Sequence, residues 1–333
     1  MKKSVALGIG TALLIRQTMK YIHRPQGHAE NFNYRVPPDC YSSLQQSAIF
    51  SAMAYEDPEG FDSFLNLPSS SVSLLSWKPE EPTDVLFFDS SLEEHTCHED
   101  TQAYLWIRGD IRCAFIVFRG TEDVKDAFAD LDIRHVELGL GKGLPYLQKG
   151  ICIHRGFYEQ FEVVSHDILT ELQSKHDSYD SIYISGHSLG GALATIAAAY
   201  YGHVFKMANK QKVVHCHTFG SPRVGNKQFC EWFKENVNGN HWRVFNHEDP
   251  VSMVPMGPRF EHVHDKAIRI GDDGCHDIYT GDVGWLWRPL TLLVSMHLVK
   301  PIGPHSCKKY IDALEGMKLL SLSKNIEPDA VKH

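Results

Sequence analysis

The stretch Ser185-Gly186-His187-Ser188-Leu189-Gly190-Gly191-Ala192 restricts what this chain can fold into more than any other. Its core fits G-x-S-x-G, a pattern that needs a serine on a sharp turn between a strand and a helix. Both flanks comply. Ile182-Tyr183-Ile184 is short and apolar, as a buried strand is, and the alanine-rich run from Leu189 to Met207 reads as a helix. At so tight a turn, side chains two positions before and two after the serine would collide, which accounts for Gly186 and Gly190. The helix N-terminus behind the serine carries unpaired N–H groups and the positive end of a dipole. The amide of Leu189 is therefore placed to bind an oxyanion formed on acyl attack at Ser188.

His187 sits beside Ser188 but cannot be its base. Neighbours at such a turn point in different directions, and a general base must approach to about 2.6–3.2 Å. His187 instead reads as packing beneath the turn. The base must come from elsewhere, and from downstream if the order Ser…Asp…His applies.

The surrounding pattern repeats the strand–helix unit. Ser43 to Tyr55 reads as a helix, and 56–82, rich in Pro, Ser, Asp and Glu, as a loop. Val85 to Phe88, Ala103 to Ile107 and Cys113 to Phe118 read as strands. Phe157, Phe161, Val164, Ile168 and Leu172 recur at helical spacing. Val213 to Phe219 and Trp242 to Phe245 read as strands around a helix from Gln228 to Asn236. This alternation predicts an α/β fold with a mostly parallel central sheet flanked by helices. No linker interrupts 40–320, so one catalytic domain is expected there, with a tail at 321–333.

Composition excludes several function classes. The chain has 333 residues, 43% hydrophobic and 22% charged, as ordinary globular domains do. Its net charge of -8, with no dense basic run, argues against a nucleic-acid partner, which needs a basic face. None of the eight cysteines forms a CxxC pair, which argues against a zinc ribbon or a thioredoxin-like site. Cys113, Cys152 and Cys216 lie in strand-like stretches and read as buried thiols. His95-Thr96-Cys97-His98-Glu99-Asp100 and His215-Cys216-His217 are rich in ligand types, but neither matches H-E-x-x-H, and the acidic loop at Asp272 lacks EF-hand spacing. No cofactor or metal is expected. Residues 1–30 join five bases to the apolar run Val5 to Ile15, as a signal-peptide core does. A secreted or membrane-associated protein is favoured, with an organellar transit peptide or a membrane-facing helix as other readings.

Five ordered blocks, spread over roughly 43–320, resemble the class 3 lipases, the family of fungal triacylglycerol lipases and related plant acyl hydrolases. They are Phe118-Arg119-Gly120-Thr121, His154-Arg155-Gly156-Phe157, Gly186 to Ala192, Thr218 to Gly225, and His247-Glu248-Asp249-Pro250-Val251. The resemblance implies an α/β-hydrolase fold and hydrolysis of lipid esters. It makes Ser188 the nucleophile and Asp249 the residue that orients the base, with Thr121 and Leu189 forming the oxyanion hole. Asp249 also lies just past a predicted strand, where a sheet of this kind places its functional loops. An aspartate before proline is equally a common turn former.

Six histidines follow Asp249: His262, His264, His276, His297, His305 and His333. His305 is the expected base. Gly303-Pro304 makes a loop before it, Lys308 to Leu320 reads as a helix after it, and His305 with Tyr310 resembles the family's C-terminal H-x-x-x-x-Y block. His297 is the rival, its apolar neighbours suggesting an interior position. In this family a short lid lies near Thr121 to Leu131, and Asp126 to Leu131 offer a similar pattern or a plain surface helix. Trp285 to Val294 suits a lipid–water interface or a packed core. Tri-, di- and monoacylglycerols, phospholipids and galactolipids all fit one triad, and a non-catalytic lipid- or protein-binding scaffold is the other class to test. Oligomeric state is left open.

Overall fold

A computed structural model describes residues 38–65, 84–90, 101–121, 134–137, 150–246, 249–255, 259–263, 266–270, 277–280 and 305–314. The N-terminal segment, the lid candidate at 122–131, the His95 to Asp100 cluster, the Asp272 loop, Trp285 to Val294, His297 and the tail lie outside the described residues.

Eight strands form one sheet in the order β1 (Val85–Asp89), β2 (Gln102–Arg108), β3 (Cys113–Phe118), β6 (Ser181–His187), β7 (Val213–Phe219), β8 (His241–Asn246), β9 (Lys266–Ile270) and β10 (Asp277–Thr280). The pairs from β3 through β9 are parallel, and both flanks are antiparallel. A separate two-stranded ribbon pairs β4 (His135–Glu137) with β5 (Cys152–His154). Strands 4, 5, 9 and 10 were not legible as strands. They are short, and each becomes a strand only through pairing with another segment. Phe260 to His264, which alternates like a strand entry, contributes only a bridge from Glu261 to Gly225 among its described residues.

Successive side chains of a strand point to opposite faces, and here that alternation sorts the core in two. Ala114, Ile116 and Phe118 of β3, Ile182 and Ile184 of β6, and Val214 and Cys216 of β7 meet the helices α3 (Arg155–Ser174), α4 (Leu189–Met207) and α5 (Lys227–Asn236). The predicted stripe Phe157, Phe161, Val164, Ile168 and Leu172 is buried along α3. Each such side chain contributes about 1.5–3 kcal/mol. Helix α4 lies close to its neighbours because it is rich in alanine and glycine. A Cβ on Gly202 would stand 2.2 Å from the carbonyl oxygen of Asn236.

The opposite face is covered by α1 (Pro38–Met53), α2 (Pro58–Leu65) and the helical residues 307–314. The helix α2 corrects the loop expected at 56–82. Asp57 accepts a hydrogen bond from Gly60 N at 2.7 Å as an N-cap, Pro58 opens the helix, and Phe61 and Leu65 bury themselves on the face of Tyr104 and Trp106. Acidic and proline-rich composition suggested a loop, but the same residues are helix-start signals. Cys113 and Cys216 are buried as expected, whereas Cys152, on the small ribbon, is only half-buried.

His215 and His217 point to the α1 face, and the Nδ1 of each ring is engaged within the protein. His215 Nδ1 accepts from Asn240 N at 3.0 Å, and His217 Nδ1 lies 2.8 Å from Ser47 Oγ of α1. Burial pushes His215 down to about 4 and His217 to about 3. An unfolded chain protonates the same rings near 6.5. The stability they contribute is therefore present above that pH and lost as pH falls from 6.5 toward 3. Thermal unfolding measured from pH 7 to 4 is expected to show a falling Tm, with a shallower fall in His217→Asn, which keeps a partner for Ser47 but cannot take up a proton. Equal slopes in the two proteins would contradict this account.

Candidate active site

Three of the parallel strands, β6, β7 and β8, end at one edge of the sheet, and the site is built there. Ser188 lies between β6 and α4 with φ 58° and ψ −127°, a left-handed backbone that L-residues other than glycine rarely adopt. The strain is held from both sides. Ser188 N donates to Phe219 O of β7 at 2.9 Å, and Gly191 N donates to Ser188 O at 3.0 Å. The flanking glycines are steric requirements. A Cβ on Gly186 would lie 2.2 Å from Gly190 O, and one on Gly190 would lie 2.2 Å from Phe118 O. The second contact presses the end of β3 against the elbow. Thr121 and the start of α4 at Leu189 are thus brought to one place, with both side chains half-buried.

Asp249 is fully buried just beyond β8. Its Oδ1 accepts from Val251 N at 2.9 Å, which is the turn expected of an aspartate before proline. Its Oδ2 faces the other way, 2.6 Å from His305 Nδ1. One carboxylate oxygen thus closes the turn and the other meets the histidine. Tyr310 Oη also donates to Oδ2, at 2.8 Å, and accepts from Asn246 N at 3.2 Å. Burial first, then the neighbouring Asp249, push the Tyr310 phenol well above its usual range, so it remains a donor.

His305 is buried at the entry to helical residues 307–314. Its Nδ1–H points at a carboxylate, so the neutral ring presents a bare lone pair at Nε2. That buried nitrogen has no hydrogen-bond partner among the described residues. Space for the arrangement comes from Gly220, whose φ is +61°. A Cβ there would stand 2.9 Å from both Asp249 Oδ2 and Tyr310 Oη, and 3.0 Å from His305 Cε1.

The ring nitrogens of His187 lie against Tyr55 Oη and the main-chain oxygen of His305, not against Ser188. The His187 ring packs 4.4 Å from the ring of His305. His262, another candidate, bonds Ser252 O at 2.8 Å instead. His154 of the H-x-G-F block has a local duty, accepting from Phe157 N at 3.3 Å as the N-cap of α3. Sequence reasoning missed the duties of Gly220 and Tyr310. The glycine follows a strand that ends at the site, and the tyrosine stands one helical turn beyond His305, so both carried a weak signal.

Residues 115–258 match the family described as lipase (class 3). Over this region the chain is similar to the class 3 lipases. The class 3 lipase match contains the elbow and Asp249, while His305 lies beyond it. A secreted mono- and diacylglycerol lipase A of Penicillium cyclopium is 29% identical over 47% of this chain and 48% of its own length. A chloroplastic phospholipase A(1) of Arabidopsis thaliana is 32% identical over 43% of this chain and 34% of its own. The chain thus spans about half the length, or less, of these curated relatives. A crystal structure of a lipase from Rhizopus microsporus var. chinensis aligns with a TM-score of 0.56 over 80% of this chain and 86% of that one. At 20% identity that likeness is one of fold, and it agrees with the α/β-hydrolase sheet described above.

Removing the Tyr310 hydroxyl tests how far the carboxylate depends on its second donor. Tyr310→Phe deletes one hydrogen bond to a charged group, a loss of about 1.5–3 kcal/mol. The expected outcome is a fall in kcat of about tenfold, measured on a soluble ester, with a lower Tm because Asn246 N also loses its acceptor. An unchanged kcat would mean that His305 alone suffices to hold Asp249.

Proposed function

We propose that this protein is a serine hydrolase that cleaves the carboxylic esters of acylglycerols through an acyl-enzyme. One observation carries the reading: a buried imidazole held at Nδ1 by a buried carboxylate, its Nε2 unbonded, at the same sheet edge as a serine on a strained strand-to-helix turn. In this reading His305 Nε2 takes the proton of Ser188 Oγ as the hydroxyl attacks the ester carbonyl. The carboxylate of Asp249 holds the required tautomer and stabilises the imidazolium. The amides of Leu189 and Thr121 receive the developing oxyanion. His305 then returns the proton to the leaving alcohol, the C–O bond breaks, and an acyl group remains on Ser188. A water activated by the same nitrogen releases the fatty acid. The bond to Asp249 supports His305 as the base; the rival His297 lies outside the described residues.

Acylglycerol is preferred as the substrate class because a mono- and diacylglycerol lipase is among the relatives. The phospholipase A(1) relative makes phospholipid the second reading. Such substrates present their esters at a lipid–water interface. The deciding experiment is therefore a hydrolysis series over emulsified and dissolved esters varied in chain length and head group, with a fluorophosphonate probe in parallel. Hydrolysis and labelling in the wild-type protein, both lost in Ser188→Ala, are expected. Absence of both in the wild type would favour a non-catalytic scaffold, and activity surviving in Ser188→Ala would overturn the mechanism.

A further inference from the structure

His187 has both ring nitrogens engaged, neither of them with Ser188. Two-residue alternation along β6 sends Tyr183, Ser185 and His187 to the α1 face. There His187 Nε2 lies 2.5 Å from the main-chain oxygen of His305. A carbonyl oxygen only accepts, so Nε2 carries the proton. The ring is buried, and burial first, then the neighbouring His305, push it well below the usual imidazole range. The neutral ring leaves a lone pair on Nδ1, 2.9 Å from Tyr55 Oη, which donates to it. The polarity of every step is thus set: Tyr55 O–H to Nδ1, then Nε2–H to the carbonyl of His305.

This chain touches three parts of the site. Tyr55 stands just past α1, so close to Gly120 that a Cβ there would be 2.2 Å from its Oη. Gly120 immediately precedes Thr121. The middle of the chain is the residue covalently bound to Ser188. The far end holds the backbone of His305. Asp249 controls the ring of His305 through Nδ1, but a single bond to a ring nitrogen leaves the backbone beneath it able to shift.

We infer that His187 and Tyr55 are positioning residues, whose hydrogen-bonded chain fixes the main chain of His305 relative to Ser188 and the Gly120-Thr121 segment. The inference rests on the hydrolase reading above. Its physical reason is that proton transfer from Ser188 to His305 requires sub-ångström placement, and misplacement by about 1 Å costs on the order of 100-fold in rate. A packing role would be met by any side chain of similar bulk, whereas positioning needs a donor at the Nε2 site.

Three variants separate these. His187→Leu removes both polar atoms, His187→Gln returns an amide donor near the Nε2 site, and Tyr55→Phe deletes one oxygen. Each is compared with wild type in kcat, KM and Tm on a dissolved p-nitrophenyl butyrate substrate. His187→Leu is expected to lower kcat about 100-fold with KM changed less than about threefold, and His187→Gln to recover about tenfold of the loss. Tyr55→Phe is expected to lower kcat about fivefold at nearly constant Tm. A folded His187→Leu with wild-type kcat would overturn the inference, as would His187→Gln performing no better than His187→Leu. If His187→Leu does not fold, an unchanged kcat in Tyr55→Phe overturns it. A wild-type protein that neither hydrolyses ester nor takes the fluorophosphonate removes the hydrolase reading and this inference together. An active wild type with unaffected variants removes this inference alone.

Discussion

Replacing Ser188 with alanine is expected to lower kcat on a soluble ester by about 10⁴- to 10⁶-fold while leaving the fold intact. The size follows from the route. Without the hydroxyl no acyl-enzyme forms, and only the oxyanion donors and substrate binding remain to assist attack by water. The fold should tolerate the change because alanine at 188 keeps the Cβ, and the bonds that hold the turn are main-chain bonds to Phe219 and Gly191. A companion variant separates strain from chemistry. Ser188→Gly is equally inactive but relieves a φ of 58°, and strain of this kind costs about 1–3 kcal/mol. Its Tm should exceed that of Ser188→Ala. Equal Tm values would mean that the turn is not strained. Residual ester hydrolysis above about 1% in either variant would place the nucleophile elsewhere.

Asp249→Asn is expected to lower kcat by about 10⁴-fold, far beyond what the loss of one hydrogen bond would give. Asp249 is fully buried, and its two oxygens accept from three donors: Val251 N, His305 Nδ1 and Tyr310 Oη. An asparagine has one acceptor oxygen and one donor NH₂. If its oxygen stays with Val251, the NH₂ faces Nδ1 of His305, which must give up its proton there and carry it on Nε2. That tautomer cannot accept the proton of Ser188. If the amide turns over, Val251 N faces a donor and the turn at Pro250 loses its closing bond. The first arrangement also sets the NH₂ against the Tyr310 hydroxyl that donates to Oδ2, so either one leaves a donor buried against a donor, at about 1–3 kcal/mol, and a lower Tm accompanies the lost activity. A fall in kcat of less than about tenfold would show that the base does not depend on this carboxylate.

The parts of the site legible in the sequence are those with a local cause. Gly186 and Gly190 flank Ser188 because the turn closes within five residues. The helix starting at Leu189 and the alanines behind it follow from local spacing, and the structure reproduces the predicted span from Leu189 to Met207. His187 could be excluded as the base on turn geometry alone. The helix α2 was equally local, and its start signals at Asp57 and Pro58 were outweighed by composition. Strands β9 and β10 were different, because a four- or five-residue segment becomes a strand only when a neighbour offers a free edge.

By itself the sequence determined the strand–turn–helix unit, the parallel α/β architecture and which serine sits on the sharp turn, because each depends on residues within a few turns of one another. Which histidine joins it, and what holds that histidine, depended on the tertiary structure. Asp249 and His305 meet across 56 residues, and although the loop and helix around His305 single it out as a candidate, no local pattern shows which carboxylate it meets. The order of parallel strands brought the ends of β6, β7 and β8 to one edge. A glycine at 220 with positive φ then left room for Asp249, His305 and Tyr310 to converge, and the alternation of β6 sent His187 to the face where Tyr55 and the carbonyl of His305 were waiting. These contacts join segments far apart in the chain, and they exist only once the sheet has brought those segments together.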